Sequence, residues 1–141
     1  MTGDEDSMWL FKSYADADDV EAVASVIKRG TWWAKGPEID EFEVEIAGWT
    51  DREHAVAVNS GTSALYLMLL AHDITDGEVI VPSFTFPATA NAVVAAGATP
   101  VFADIERDSL ALSIESVREH MTAETRAVMP IHFGGGIARD I

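Results

Sequence analysis

The sequence has 141 residues, 48% apolar and 9% aromatic, with 24 acidic and 9 basic side chains and a formal net charge of −15. That is enough apolar material for one folded core, and a surface so acidic repels nucleic-acid phosphates and anionic lipid, excluding both as partners. Cysteine is absent, which excludes disulfides, thiolate metal sites and a cysteine nucleophile and accords with a reducing compartment.

The acid is spread along the chain and not gathered in a tail. It reads either as an ordinary solvated surface or as adaptation to high salt, where screening removes self-repulsion. The first residues, Met1 to Asp6, are acidic with no apolar stretch behind them, unlike a signal peptide. The most apolar runs, Ala64–Ala71 and Ala92–Ala98, are too short to span a bilayer, so a cytoplasmic protein is expected.

In chain order, residues 1–15 read as a leading segment and 16–141 as one incomplete domain. Val20, Val23, Ala24 and Ile27 recur at helical spacing between an acidic start (Asp16, Asp18, Asp19) and a basic end (Lys28, Arg29), predicting a helix over 16–29 closed by Gly30. Residues 31–37 read as a loop through Gly36-Pro37. Ile39, Phe42, Ile46 and Trp49 then predict a second helix over 38–49.

From there strands and helices alternate. Ala55–Val58 reads as a strand, and Ser63–Ala71, apolar nearly all round, as a helix buried on most sides. Val79–Val81 is a predicted strand. A helix over 87–96 has Pro87 in its first turn and Gly97 just past its end. Pro100–Ala103 and Ala127–Ile131 are further strands, separated by a helix over 113–120 that Ser113 could cap. Continuous apolar strands alternating with helices predict an α/β fold, a parallel sheet covered on both faces.

Four places could carry chemistry. Val58-Asn59-Ser60-Gly61-Thr62-Ser63 runs from strand through a small-residue turn into a helix start. Outward amides and the helix dipole suit a phosphate there, although Ser and Thr at such a turn also serve simply as caps. Ser83-Phe84-Thr85-Phe86 leaves the carboxyl end of a strand, where α/β ligands gather, and suits a wall for a flat heterocycle. The plainer alternative is that both rings are core. Asp104 and His132 end two further strands; taken alone, each reads as a turn acceptor or a hydrogen-bonded edge residue. Gly134-Gly135-Gly136 lacks the context of a dinucleotide motif, and the four histidines are too scattered for a metal site.

The order and spacing of these segments resemble the DegT/DnrJ/StrS family, sugar-nucleotide aminotransferases of pyridoxal-phosphate (PLP) fold type I. The likeness runs from Trp9-Leu10-Phe11-Lys12-Ser13-Tyr14 through Gly36-Pro37 and Val58 to Leu65. It continues in Val79 to Phe86, Ala96 to Asp104 and Ile131 to Gly135. The resemblance implies the partial large domain of that fold, a three-layer sandwich preceded by two N-terminal helices. It implies PLP as cofactor, its phosphate held by Gly61, Thr62 and Ser63 and its ring stacked on Phe86. Thr85 and His132 follow as substrate candidates. The implied partners are a nucleotide-linked keto-sugar, an amino donor such as glutamate, and a second copy in a homodimer.

The resemblance also sets limits. Family chains are more than twice as long, and the Lys that forms the Schiff base and the acidic partner of the pyridinium nitrogen lie beyond the part matched by Ile141. Lys12, Lys28 and Lys35 do not stand in that context. The expectation is an incomplete domain, marginal alone and inactive as this chain, from an aminotransferase or from a related PLP keto-sugar dehydratase. An inactive remnant that binds a paralogue, or an unrelated phosphate-binding module, are the other readings. Ala55–Val58 is expected to lack its neighbouring strand, leaving the other three strands contiguous.

Overall fold

The computed structural model describes residues 13–31 and 34–138. Leu10, Phe11 and Lys12 of the family-like opening, and Trp32 and Trp33 of the first loop, lie outside the described residues. The chain falls into two compact units that divide between Ala57 and Val58.

The first unit holds two helices, α1 (Ala17–Arg29) and α2 (Pro37–Trp49). Asp16 caps α1: its carboxylate accepts from the amides of Asp18 and Asp19, while Asp19 returns a carboxylate oxygen to the Asp16 amide at 2.9 Å. This reciprocal box satisfies amides that the helix leaves open. Gly30 ends the helix in the left-handed conformation. Val20, Val23 and Ile27, the predicted apolar stripe, are all exposed in this chain. Arg29 clasps α2 through a two-pronged pair with Glu38, the second contact at 3.0 Å.

The second unit contains α3 (Gly61–Ala71), β1 (Glu78–Pro82), α4 (Ala88–Ala96), β2 (Thr99–Ala103), α5 (Ile114–His120) and β3 (Thr125–Val128). The strands form one parallel sheet in the order β2-β1-β3. Val79 and Val81 of β1 point to one face, where Leu69 of α3 and Val93 and Ala96 of α4 cover them together with Met129. Ile80 points to the other face and packs with Ala103, Leu112 and Val117 of α5. The period-2 alternation of a strand thus produces helix layers on both sides, the predicted three-layer α/β arrangement. Among the described residues no helix is long and apolar enough to cross a membrane.

Several expectations change. Ala55–Val58 is not a strand: no described segment lies alongside to pair with it, and Val56 is exposed. The three remaining strands do form a contiguous sheet. α3 is less buried than its all-round apolarity suggests, since only Leu69 is enclosed while Leu67 and Met68 are exposed. Ser113 stands at the N-cap of α5, but its side chain makes no capping bond. The strand expected over 127–131 begins and ends earlier, at Thr125 and Val128; Met129 still donates its amide to the Ile80 carbonyl, and Pro130, with no N–H, cannot extend the ladder. Gly134 and Gly135 sit in a short 3₁₀ turn, Phe133–Gly135.

The amides donated to Asp16 hold its carboxyl below the usual carboxylate range. A lowered folded value stabilises α1 above the unfolded pKa, and this contribution disappears as pH falls through the folded value. Circular dichroism should therefore show α1 helicity falling in acid. Asp16→Ala should lose it at neutral pH, whereas Asp16→Asn should retain most of it.

Candidate functional site

The connections place the chemistry-bearing residues at one edge of the sheet. α4 follows the end of β1 through residues 83–87, and α3 reaches the start of β1 through residues 72–77, so both helices run back along the strand. Their N-terminal ends therefore lie towards the carboxyl edge of the sheet, where α/β folds bind ligands. Residues 59–63, 83–87, Asp104 and His132 all belong to that edge.

The turn into α3 is held by its own side chains. Ser60 is the N-cap and accepts from the Ser63 amide at 3.1 Å. The Ser60 hydroxyl donates to Ser63 Oγ at 3.0 Å, and the Ser63 hydroxyl donates to Asn59 Oδ1 at 2.7 Å. Both polar groups of Ser63 are thus engaged, so a contact from Ser63 to an anion requires trading one of these bonds. The amides of Gly61 and Thr62 and the Thr62 hydroxyl have no partner among the described residues. They are the first groups of an eleven-residue helix and carry its positive end.

Gly61 has no steric reason within the fold. A Cβ built there meets nothing within 4 Å, and its backbone is not left-handed. The side-chain position of Gly61 is open, so no described residue fills the space beside its main chain.

The second segment bears on whether its rings are core. Phe86 is 77% exposed and Phe84 47%, so neither ring is buried in this chain. Phe84 leans on Phe133, with ring centroids 4.9 Å apart and planes at 50°. This contact joins the loop leaving β1 to the loop leaving β3 and braces the segment that presents Phe86. Thr85 Oγ1 lies 2.8 Å from Thr89 Oγ1.

His132 is exposed, and its Nδ1 accepts from the Ala138 amide at 3.0 Å. That bond puts the proton of the neutral ring on Nε2, which is left for other contacts. Asp104 acts through its backbone: its amide donates to Ser116 Oγ and its carbonyl accepts from the Ser113 amide, both at 2.9 Å. Sequence reasoning missed Asn59 as the brace of the turn, the Phe84–Phe133 contact and the buried hydroxyl of Thr89. Each depends on a pairing across the fold or within a turn that one-dimensional spacing does not display.

Residues 13–141 match the model of the DegT/DnrJ/EryC1/StrS aminotransferase family. The chain belongs to this family. It is 44% identical over 119 residues to the spore coat polysaccharide biosynthesis protein SpsC of Bacillus subtilis, covering 84% of this chain and 30% of that one. It is 40% identical over 127 residues to GDP-perosamine synthase of Vibrio cholerae, covering 89% and 35%. The crystal structure of NtdA from Bacillus subtilis with bound cofactor PMP superposes with a TM-score of 0.76 at 30% identity, over 84% of this chain and 28% of that one. The chain therefore spans about a third of the length of the relatives it matches, and its parallel sheet is that of the fold type I aminotransferases.

Two neighbouring substitutions should behave in opposite ways. Ser60→Ala removes the cap of α3 and should cost about 0.5–2 kcal/mol in denaturant unfolding. Gly61→Ala meets no neighbour and should leave stability unchanged or slightly raised.

Proposed function

We propose that this chain is the front part of a PLP-dependent aminotransferase acting on nucleotide-linked keto-sugars, and that it supplies the cofactor-phosphate cradle. The observation that carries the reading is the pair of amides at Gly61 and Thr62, without partners among the described residues and beside the open side-chain position of Gly61, at the carboxyl edge of the sheet. Membership of the family and the PMP bound in the Bacillus subtilis neighbour support PLP as the cofactor. The similarity to a GDP-perosamine synthase supports a nucleotide-linked sugar as substrate.

PLP, when bound, supplies an electron sink for amino-group transfer. The chain's own residues do the rest of the work assigned here. Gly61 and Thr62 hold the phosphate through their amides and the Thr62 hydroxyl, and Ser63 keeps the turn in shape or adds a contact. Phe86, exposed and braced through Phe84, offers a face for the pyridine ring. Thr85 and the Nε2–H of His132 are donors for the substrate or the cofactor edge.

The lysines outside the N-terminal segment are Lys28, the penultimate residue of α1, and Lys35, in the loop before α2. Both belong to the first unit, and the family resemblance gives neither the context of a Schiff-base lysine. The reading therefore includes that the 141-residue chain by itself performs no transamination. It includes glutamate as an amino donor, and a cytoplasmic homodimer whose mass sedimentation of the native protein would read.

Titration of the chain with PLP, followed by absorbance, tests the cradle. Saturable binding is expected, weakened about tenfold or more by Gly61→Val and several-fold by Thr62→Val while the melting temperature holds. Equal binding by the wild type and both variants would overturn the assignment. Turnover of a keto-sugar nucleotide with glutamate by the isolated 141 residues would overturn the inactivity.

The net charge of −15 supports a high-salt setting as part of the same proposal. Screening shortens from about 10 Å at 0.1 M salt to about 3 Å at 1 M. The unfolding midpoint should accordingly rise across that range; a midpoint that falls removes the proposal.

A further inference from the structure

We propose that Thr89 is a positioning residue: it gives its hydroxyl proton to Thr85 Oγ1, and this leaves the Thr85 hydroxyl as a donor for an acceptor oxygen of the bound ligand. Thr89 stands in the first turn of α4 and is 2% exposed. Its neighbours in the buried face of that helix are Ala92, Val93 and Ala96, so its hydroxyl is the polar exception on an apolar surface. An aliphatic side chain of the same shape would fill the position equally well, and a buried hydroxyl weakens a core unless it is bonded. The one bond available to it among the described residues is the contact with Thr85 Oγ1 at 2.8 Å.

Only one proton can lie between the two oxygens. If Thr85 donated, the proton of Thr89 would be left in the core without an acceptor. If Thr89 donates, the remaining proton belongs to Thr85, which is half-buried in the loop between Phe84 and Phe86. Placing the free donor at the accessible residue satisfies both hydroxyls, and no buried side-chain polar atom goes unbonded among the described residues. The same bond fixes the Thr85 rotamer, because Thr89 is held by helix and sheet packing. Thr85 is thereby prepared as a donor before any ligand arrives, with its one proton available for a phosphate, hydroxyl or carboxylate oxygen.

This assignment rests on the reading that the sheet edge binds PLP or a nucleotide-linked sugar, and two arms of one experiment separate the two claims. In the ligand-free arm, the chain labelled at threonine methyls reports the χ1 angle of Thr85 through three-bond couplings. A single rotamer is expected in the wild type and in Thr89→Ser, and averaging in Thr89→Val. In the ligand arm, PLP and a nucleoside-diphosphate sugar are titrated separately. For whichever binds, Thr85→Val and Thr89→Val should each weaken affinity about three- to ten-fold. The double variant should be no weaker than Thr85→Val alone, and Thr89→Ser should restore the wild-type value. An unchanged Thr85 rotamer in Thr89→Val, or additive losses in the double variant, would overturn the proposal. If neither ligand binds the wild type, the cradle reading fails, and the rotamer arm alone decides the role of Thr89. Thr89→Ala provides the same comparison should valine fail to pack.

Discussion

The second unit depends on enclosing β1 from both faces. Val79, Ile80 and Val81 are wholly inaccessible, and in a strand three consecutive residues cannot all be buried by one layer. The alternation sends Val79 and Val81 towards α3 and α4 and Ile80 towards α5. Parallel neighbours on each side then follow, since a helix must return the chain before each new strand can begin. The fold is the solution to that single requirement, and the helices are where the returns must be.

A consequence of those returns is that every loop leaving a strand comes out at the same edge. Ser83 to Pro87, Asp104 and His132 are far apart in sequence but share that edge because the sheet is parallel, and Asn59 to Ser63 joins them because α3 runs back along β1. The Phe84–Phe133 contact is direct evidence of the convergence, linking the exits of β1 and β3. The N-terminal ends of α3 and α4 contribute positive potential at this edge, in a chain whose formal charge is strongly negative. Backbone dipoles act over the first turn of a helix, whereas carboxylates more than a Debye length away are largely screened by salt.

Much of this was legible in the sequence. The helix bounds at Asp16, Gly30 and Gly97 were readable because capping chemistry is local, and the three strands because apolar runs bounded by Gly and Pro admit few alternatives. For Ala55–Val58 the missing neighbour was legible, but not that the segment gives up strand geometry without it. The burial of α3 was overestimated for a related reason: an apolar residue states a preference, while enclosure depends on what lies opposite Leu67 and Met68. At the site, Phe86 was legible as an aromatic after a strand, but its exposure was not. The pairing of Thr85 with Thr89 has the spacing of one helical turn, i to i+4, yet the residues between them are a loop end and a helix start, and nothing in the letters marks the contact as closed.

Gly61 and Gly97 differ in what the fold demands of them. Gly97 has φ of 98°, and a Cβ there would stand 2.6 Å from the Thr75 carbonyl oxygen, so both its conformation and its surroundings demand glycine. Gly61 meets neither condition. It begins a helix in ordinary backbone, with open space around it, where alanine would favour the helix by about 0.5–1 kcal/mol in an interior position and by less at the end. Nothing among the described residues requires glycine there. The amides beside it have no partner among the described residues and stand at the positive end of α3, as the proposed phosphate cradle requires. Under that proposal, bare backbone at Gly61 would let a phosphate oxygen reach them at hydrogen-bond distance, and a bulkier side chain would stand in its way.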